Sequence, residues 1–135
     1  MSNELYAKAR QKFLEGALAW LTQDFKAVLV DAALYTPNLT NHEFLSDIPI
    51  GARVATSANL TSKTSTNGIA DAADVSYVGL TGATVEYIAI YRDTGVAGTS
   101  PLVALIDTAA GLPFTPTGTT VTVAWDNGTN KIFKL

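Results

Sequence analysis

The segment TVEYIAIYRD, residues 84–93, decides the fold that the sequence predicts. Its apolar residues alternate between the two sides of an extended backbone, with Val85, Tyr87, Ala89 and Tyr91 on one side and Ile88 and Ile90 on the other. β-branched and aromatic residues fit a pleated sheet, and apolar groups on both sides favour a strand that is covered on each face. We therefore predict that this segment is a central strand.

Three further segments have the same apolar, β-branched texture: residues 25–31 (FKAVLVD), 101–107 (PLVALID) and 119–126 (TTVTVAWD). Each ends in an aspartate that precedes small or turn-forming residues. Shorter strands are expected at residues 52–59, with Val54 facing inward, at 75–80 and at 131–135.

About seven strands, one helix in front of them and no alternation of strands with helices predict a mainly β chain. We expect an antiparallel β-sandwich or a jelly-roll-like barrel. The whole chain should form a single globular unit, with residues 1–22 as an N-terminal helix or arm and residues 23–135 as the β domain.

The N-terminal segment has the pattern of an amphipathic helix. Ser2 can cap it, and Glu4 would lie in its first turn, where a negative charge complements the helix dipole. Its apolar residues recur at helical spacing: Leu5, Tyr6, Ala9, Phe13 and Ala17. Gly16 should end or weaken the helix. Such a helix could cover the domain's own sheet or project as an arm onto a neighbour, and the sequence is compatible with both.

The connections carry several turn signals. Thr40 and Glu43 have the spacing of a capping box, which predicts a short helical turn through Leu45. Residues 60–73 are rich in small and polar residues and predict an exposed hairpin or a long loop. The strongest short-range signal is Asn127-Gly128, which predicts a closing hairpin between the strands on either side of it.

Composition excludes several classes of function. The chain has 135 residues, a formal net charge of −3 and no cysteine, so disulfides and thiolate metal sites are excluded. Lys8, Arg10 and Lys12 form the densest basic cluster, which is too small for a nucleic-acid footprint.

No apolar run approaches the ~18 residues of a membrane span, and the N-terminus does not have the pattern of a secretory signal, so synthesis in a cytoplasm is expected. Charged residues make up only 16% of the chain, which favours apolar surface kept for a partner and a homo-oligomer.

Candidate catalytic and metal-binding residues are few. His42, near Ser46 and Asp47, could serve a triad, but its neighbourhood favours a surface histidine in a short helix. Asp71 and Asp74 could bind calcium, although no EF-hand spacing follows them.

Glu86 could be one carboxylate of a glycosidase pair, but no partner carboxylate can be named and a basic residue could pair with it. The glycines at 95, 98 and 111 have the spacing of turns rather than of a phosphate-binding loop. We therefore predict a protein that is not an enzyme and that uses no cofactor or metal.

The aromatic residues should mostly supply core packing, because each buries a large area. Tyr35, in the loop before Pro37, is the aromatic residue that we expect to be exposed. The candidate interface residues are Leu5, Tyr6, Phe13 and Tyr35.

Several runs together resemble one family of proteins. They are KFLEG (12–16), WLTQDFKAVLVD (20–31), YTPNLTNHEFLSDIPIGARVATSANLTSKTSTNGIADAADV (35–75), IYRDTGVAGTSPLVALIDTAAGLPFTPTG (90–118) and WDNGTNKIFKL (125–135). In these runs the chain resembles small structural proteins that are encoded by tailed bacteriophages and prophages. The resemblance spans nearly the whole chain and supplies no catalytic motif.

This resemblance implies a virion component that is made in the cytoplasm of the host bacterium. A small β domain with a terminal arm resembles the capsid decoration or cement proteins that clamp adjacent capsid subunits, often as trimers. The implied partners are the major capsid protein or neighbouring virion proteins, together with further copies of the chain, and neither nucleic acid nor a membrane. A tail, neck or baseplate component and a carbohydrate-binding virion module remain alternatives.

Overall fold

A computed structural model describes residues 4–107, 112–125 and 132–134. These residues contain one α-helix, α1 (Ala7–Leu14), and three short 3-10 turns, Leu45–Asp47, Ile50–Ala52 and Ala97–Thr99. Their strands are β1 (Glu4–Leu5), β2 (Phe25–Val30), β3 (Arg53–Thr56), β4 (Thr64–Thr66), β5 (Ile69–Asp71), β6 (Val75–Tyr77), β7 (Tyr87–Arg92), β8 (Leu102–Ile106), β9 (Val121–Val123) and β10 (Phe133–Lys134). The chain is therefore mainly β, as predicted, with ten short strands in the described part where about seven were expected.

The largest sheet has five strands in the order β1-β8-β7-β2-β3, and all its pairs are antiparallel. The predicted central strand, β7, lies at its centre. The four inner residues of β7 and all five residues of β8 are buried. Two smaller antiparallel sheets have the orders β10-β5-β4 and β6-β9.

The five-stranded sheet has two different faces, which follow from its register. Leu29 pairs with Ile88, so these two side chains and Phe25 lie on one face, called here the isoleucine face. The Trp20 ring packs against Phe25 on this face at 4.8 Å between ring centroids, and against Phe133 of β10 at 5.2 Å. The N-terminal segment and the three-stranded sheet therefore cover the isoleucine face.

The opposite face, called the tyrosine face, is covered by the connection between β2 and β3. Val30 pairs with both Tyr87 and Arg53, which places all three side chains on this face. The Arg53 guanidinium donates hydrogen bonds to the carbonyls of Ile48 at 2.9 Å and Leu45 at 3.1 Å. The central strand is thus covered from both sides, as its sequence predicts.

The N-terminal prediction requires a correction. Glu4 and Leu5 are not the first turn of a helix, because they form β1 and pair with β8. The helix begins at Ala7, and Ser2 lies outside the described residues. Gly16 ends the helix as expected: its φ is 77°, and the N–H of Ala17 donates to the Lys12 carbonyl at 2.9 Å.

The N-terminal segment covers the chain's own domain and is not a free arm. The N–H of Tyr6 donates to the Val103 carbonyl of β8 at 3.0 Å, and the Tyr6 and Ala9 side chains are fully buried. Of the two open possibilities, the structure therefore shows packing on the domain's own sheet.

The turn of the predicted closing hairpin, Asn127-Gly128, lies outside the described residues. Among the described strands, β9 pairs with β6 and β10 pairs with β5, so no described pairing joins the two flanking strands. An Asn-Gly turn that closes a hairpin within the described residues is Asn67-Gly68, with φ of 54° and 77°. It joins β4 to β5 within residues 60–73, where a hairpin was one of the two expectations.

The helical turn expected at Thr40 begins later in the chain. The Asn38 side chain accepts hydrogen bonds from the N–H groups of Thr40 and Asn41, so Asn38 rather than Thr40 caps this stretch. The 3-10 turn is Leu45–Asp47. Side-chain acceptors before and after residues 40–44 take four of the local N–H groups, and the N–H of His42 donates to the Asn38 carbonyl, so no continuous helical ladder forms there.

Candidate functional site

Three of the four predicted interface residues belong to the core. Leu5, Tyr6 and Tyr35 are 5%, 0% and 3% exposed, which corrects the prediction that they offer a free surface and that Tyr35 is the exposed aromatic residue. Phe13 is half-buried, and its ring lies 5.9 Å from that of Phe133 between centroids. Leu5, Tyr6 and Tyr35 are buried within their own chain.

Tyr6, Tyr35 and His42 instead form a partly buried hydrogen-bonded chain that the sequence did not reveal. The Tyr6 and Tyr35 hydroxyls are 2.9 Å apart, and the Tyr35 hydroxyl lies 2.9 Å from His42 Nδ1. The N–H of Asn38, 3.2 Å from the same Nδ1, can only donate, so Nδ1 carries no proton. It follows that Tyr35 donates to His42 and that Tyr6 donates to Tyr35.

The pKa shifts at Tyr6, Tyr35 and Asp47 suit residues that hold the structure together. Burial raises the pKa of Tyr6 and the pKa of Tyr35 above the usual tyrosine value, so both hydroxyls stay protonated. Although burial alone would raise the pKa of Asp47, hydrogen bonds from the N–H groups of Phe44 and Glu43 hold it below its usual value. We define these residues, Tyr6, Tyr35, His42 and Asp47, as the polar clamp.

The structure does not bring the proposed catalytic residues together. The hydrogen bonds of His42 within the described part of the chain join it to Tyr35 and Asn38, whereas the nearby Ser46 is exposed. Glu86 accepts a hydrogen bond from the N–H of Ala32 at 2.7 Å, and Asp74 accepts one from the N–H of Trp125 at 3.1 Å. Over the described ranges, no group of three or more metal-ligating side chains is close enough to hold an ion.

Large aliphatic side chains are exposed at several places on the described surface, and Leu14, Val78 and Val96 are 90%, 85% and 60% exposed. Two places are candidate contact surfaces, and the first is on the connection between β2 and β3. Leu34 and Ile50 are 56% and 80% exposed. They flank Gly51, where an added Cβ would lie 3.6 Å from Leu34 Cδ1. We call these three residues the Leu34–Ile50 patch. Because the connection covers the tyrosine face, the patch lies on that side of the sheet.

The second place is a groove of about 330 Å³ beside β9. Its lining, which we call the β9 groove, consists of Ile88, Leu112, Phe114, Thr115, Thr120, Val121, Thr122 and Val123. Ile88 and Val123 are buried at its floor, the other apolar side chains are half-buried, and the three threonines are exposed at its rim. No described residue of this lining is charged. Since Ile88 lies on the isoleucine face, the groove and the Leu34–Ile50 patch are on opposite sides of the five-stranded sheet.

Comparison with known proteins supplies no family for this chain. No protein-family model matches the sequence, and no curated protein sequence matches it. Among the helical residues that the structure describes, none belong to a helix with the length and apolar character to cross a membrane.

Proposed function

We propose that this protein is a non-enzymatic structural component of a tailed-bacteriophage particle. Its leading role is that of a capsid decoration or cement protein, which binds between subunits of the major capsid protein and stabilises the head. The single observation that carries the proposal is the Leu34–Ile50 patch, where one connection exposes two large aliphatic side chains. The resemblance to phage structural proteins implies that a neighbouring protein in the virion would cover such a patch.

The polar groups support a structural role over a catalytic one. His42, Glu86 and Asp47, the side chains that could do acid–base chemistry, each hold a backbone N–H or a buried hydroxyl. A general base needs to reach a substrate proton and to be oriented by a third group. These side chains instead hold the connection between β2 and β3, and Glu86 ties it to the start of β7.

The energetics of the patch suit an assembly with many copies. Covering a large aliphatic side chain contributes roughly 1.5–3 kcal/mol, so Leu34 and Ile50 together give a weak contact. A closed oligomer repeats that contact by symmetry, and several weak contacts to one particle gain effective concentration. We therefore infer a homo-oligomer, with a trimer favoured, that acts in the virion.

The fold supports a compact clamp of this kind. We infer that the five-stranded sheet forms one layer of a β-sandwich and that the two smaller sheets form the other. Trp20 and Phe133 contribute to the packing between these layers, on the isoleucine face. A two-layer β domain presents rigid outer surfaces, which suits a protein that holds neighbours in fixed positions.

Location in the intact particle tests the proposal. Cryo-electron microscopy or immunogold labelling should place the protein on the head, and the purified protein should bind assembled capsids but hardly bind free capsid subunits. Label confined to the tail, neck or baseplate would contradict the decoration role. Specific binding on a glycan array would favour a carbohydrate-binding module instead.

A pair of variants tests the patch itself. Leu34→Ser combined with Ile50→Ser should reduce capsid binding by about tenfold or more, because it removes most of the exposed apolar area of the patch. Val78→Ser is the matched control, since Val78 is 85% exposed and lies outside the patch. Equal binding by the double variant and the control would show that capsid contact uses another surface.

A further inference from the structure

His42 is the single histidine of the chain, and the hydrogen bonds around it require one protonation state. The Tyr35 hydroxyl and the N–H of Asn38 both donate to its Nδ1, at 2.9 Å and 3.2 Å. Nδ1 accepts only while it carries no proton, so the neutral ring holds its proton on Nε2. The ring is half-buried, which leaves it accessible to protons from solvent.

A proton on Nδ1 changes the balance of donors and acceptors in the polar clamp. In the neutral state, Tyr6 donates to Tyr35, and Tyr35 and Asn38 donate to Nδ1, so each donor has an acceptor. Protonation adds one donor and removes the acceptor that Tyr35 and Asn38 share. Within the described part of the chain, the fully buried Tyr6 hydroxyl has no hydrogen-bond partner besides Tyr35. The clamp therefore cannot pair all its donors once His42 is charged.

We propose that the polar clamp is a pH-sensitive switch, in which protonation of His42 releases the connection between β2 and β3 from the N-terminal segment. Tyr6 belongs to the N-terminal segment and Tyr35 to the connection, so the bond between their hydroxyls joins the two. A second tie runs from the N–H of Ala7 to the Leu39 carbonyl at 2.7 Å. Leu39 lies in the turn that His42 holds, so this tie should loosen with the first.

His42 is also the clamp residue suited to respond near neutral pH, because histidine changes its charge between about pH 5 and pH 8. Burial raises the pKa of Tyr6 and the pKa of Tyr35 above the usual tyrosine value. Although burial alone would raise the pKa of Asp47, hydrogen bonds from the N–H groups of Phe44 and Glu43 hold it below its usual value. These three groups therefore keep one charge state while histidine titrates.

The other titratable groups on the neighbouring elements already have partners. Lys12 of α1 pairs with Glu43 at 2.5 Å, and Arg10 of α1 and Arg53 of β3 donate to backbone carbonyls. The remaining groups are Asp31, which accepts the N–H of Ala33, and Tyr87 of β7, which interacts with Tyr35. The charge that acts directly on His42 is that of Asp47.

Two contacts favour the charged ring and oppose the switch. The Asp47 carboxylate attracts His42 when the ring is charged, and the Tyr35 ring lies 5.4 Å from the imidazole between centroids. Asp47 is exposed, and both ion pairs and cation–π contacts are weak where solvent reaches them. A buried donor that loses its acceptor costs more. The loss of pairing in the clamp therefore outweighs the attraction.

Nuclear magnetic resonance of the wild-type chain tests the switch. Because the chain has one histidine, the imidazole nitrogen signals belong to His42, and they should show an unprotonated Nδ1 at about pH 7.5. Hydrogen exchange of the N–H groups of Ala7 and His42 reports the release, since both donate to carbonyls of the connection. Their protection factors, which correct for the intrinsic pH dependence of exchange, should fall about tenfold between about pH 7.5 and about pH 5.5. The N–H groups of β7 should keep their protection.

His42→Asn is the matched variant. The side-chain oxygen of asparagine can accept from Tyr35 and Asn38 at nearly the position of Nδ1, but it does not titrate. Circular dichroism checks that the variant keeps the fold. The protection factor of the Ala7 N–H in this variant should be the same at both pH values.

Three outcomes would overturn the inference: an Nδ1 that is protonated at about pH 7.5, a wild-type chain with equal protection at both pH values, or an equal fall in protection in His42→Asn. The first two are read from the wild-type chain and do not depend on the folding of the variant. The effect of the switch on the Leu34–Ile50 patch, which the same connection carries, rests on the proposed function. A chain that switches as described but is missing from virions would contradict that function and leave the switch standing.

Discussion

The two faces of the five-stranded sheet are covered by different kinds of chemistry. On the isoleucine face, Trp20 packs its ring against Phe25 and Phe133, and Phe13 extends the same aromatic cluster. On the tyrosine face, the connection between β2 and β3 is held by hydrogen bonds from Arg53 and by the polar clamp. Apolar packing secures one side, and directional polar contacts secure the other.

This difference follows from the kind of segment that covers each face. The isoleucine face meets the aromatic rings of Trp20 and Phe133, and Phe133 lies in a strand that pairs with β5, so the covering of this face can contribute mainly apolar area. The tyrosine face meets a connection that has two short 3-10 turns, so its backbone groups need side-chain partners. The polar clamp supplies some of these partners. It also fixes the segment that carries the Leu34–Ile50 patch.

The aromatic cluster should give the largest loss when it is broken. Trp20 is 6% exposed, and its Nε1–H donates to the Thr64 carbonyl at 3.0 Å. Trp20→Ala should lower the free energy of unfolding by about 3–5 kcal/mol, because it leaves a cavity beside Phe25 and Phe133 and an unpaired carbonyl. Chemical denaturation measures the loss. Leu21→Ala is the control, since Leu21 is 55% exposed and should cost at most about 0.5 kcal/mol.

The polar clamp should respond to the loss of a single oxygen atom. Tyr35→Phe keeps the ring but removes both the donor to His42 and the acceptor for Tyr6, so we expect a cost of about 1–3 kcal/mol. Tyr6→Phe removes only the terminal donor and should cost less, about 0.5–1.5 kcal/mol. Equal costs for the two variants, or a larger cost for Tyr6→Phe, would show that the Tyr35 hydroxyl does not hold the middle of the hydrogen-bonded chain.

Much of the sheet could be predicted because its signal is local. The alternating apolar residues of 84–93 and the apolar run of 25–31 indicate strands by themselves, and β7 and β2 lie within those segments. Asn-Gly turn signals are local too, but they do not specify which strands pair with each other. The chain has two such cues, and the strands around the second pair with strands far away in sequence. The local sequence therefore predicts where strands and turns lie better than it predicts which strands pair.

The candidate surfaces could not be predicted, for a related reason. Ile48 and Ile50 flank Pro49 in one short run of sequence, yet Ile48 is fully buried and Ile50 is 80% exposed. Only the geometry of the two 3-10 turns separates them. Tyr6 and Tyr35 are likewise 29 residues apart, so no spacing rule joins their hydroxyls. Contacts that depend on tertiary placement leave no periodic signal in the chain.

The smallest expected effect is the pH dependence that Asp47 of the polar clamp contributes. Asp47 Oδ2 accepts hydrogen bonds from the N–H groups of Glu43 at 2.8 Å and Phe44 at 3.0 Å, and its pKa is lowered in the folded state. A lowered folded-state pKa gives stability that is present above the unfolded value of about 3.9 and is lost as the pH falls through the folded value. Because the carboxylate is largely exposed, solvent screening should keep the contribution below about 1 kcal/mol.

Asp47→Asn should therefore lower stability slightly at pH 7 and flatten its decline between about pH 5 and pH 2. Urea unfolding at a series of pH values measures this, with Asp24→Asn as a control that removes the same charge from an exposed carboxyl outside the clamp. If Trp20→Ala is measured in both backgrounds, its cost should be unchanged by Asp47→Asn, because the aromatic cluster and the clamp lie on opposite faces and share no contact that titrates. A coupling above about 0.5 kcal/mol between the two substitutions would mean that the two coverings of the sheet are not independent.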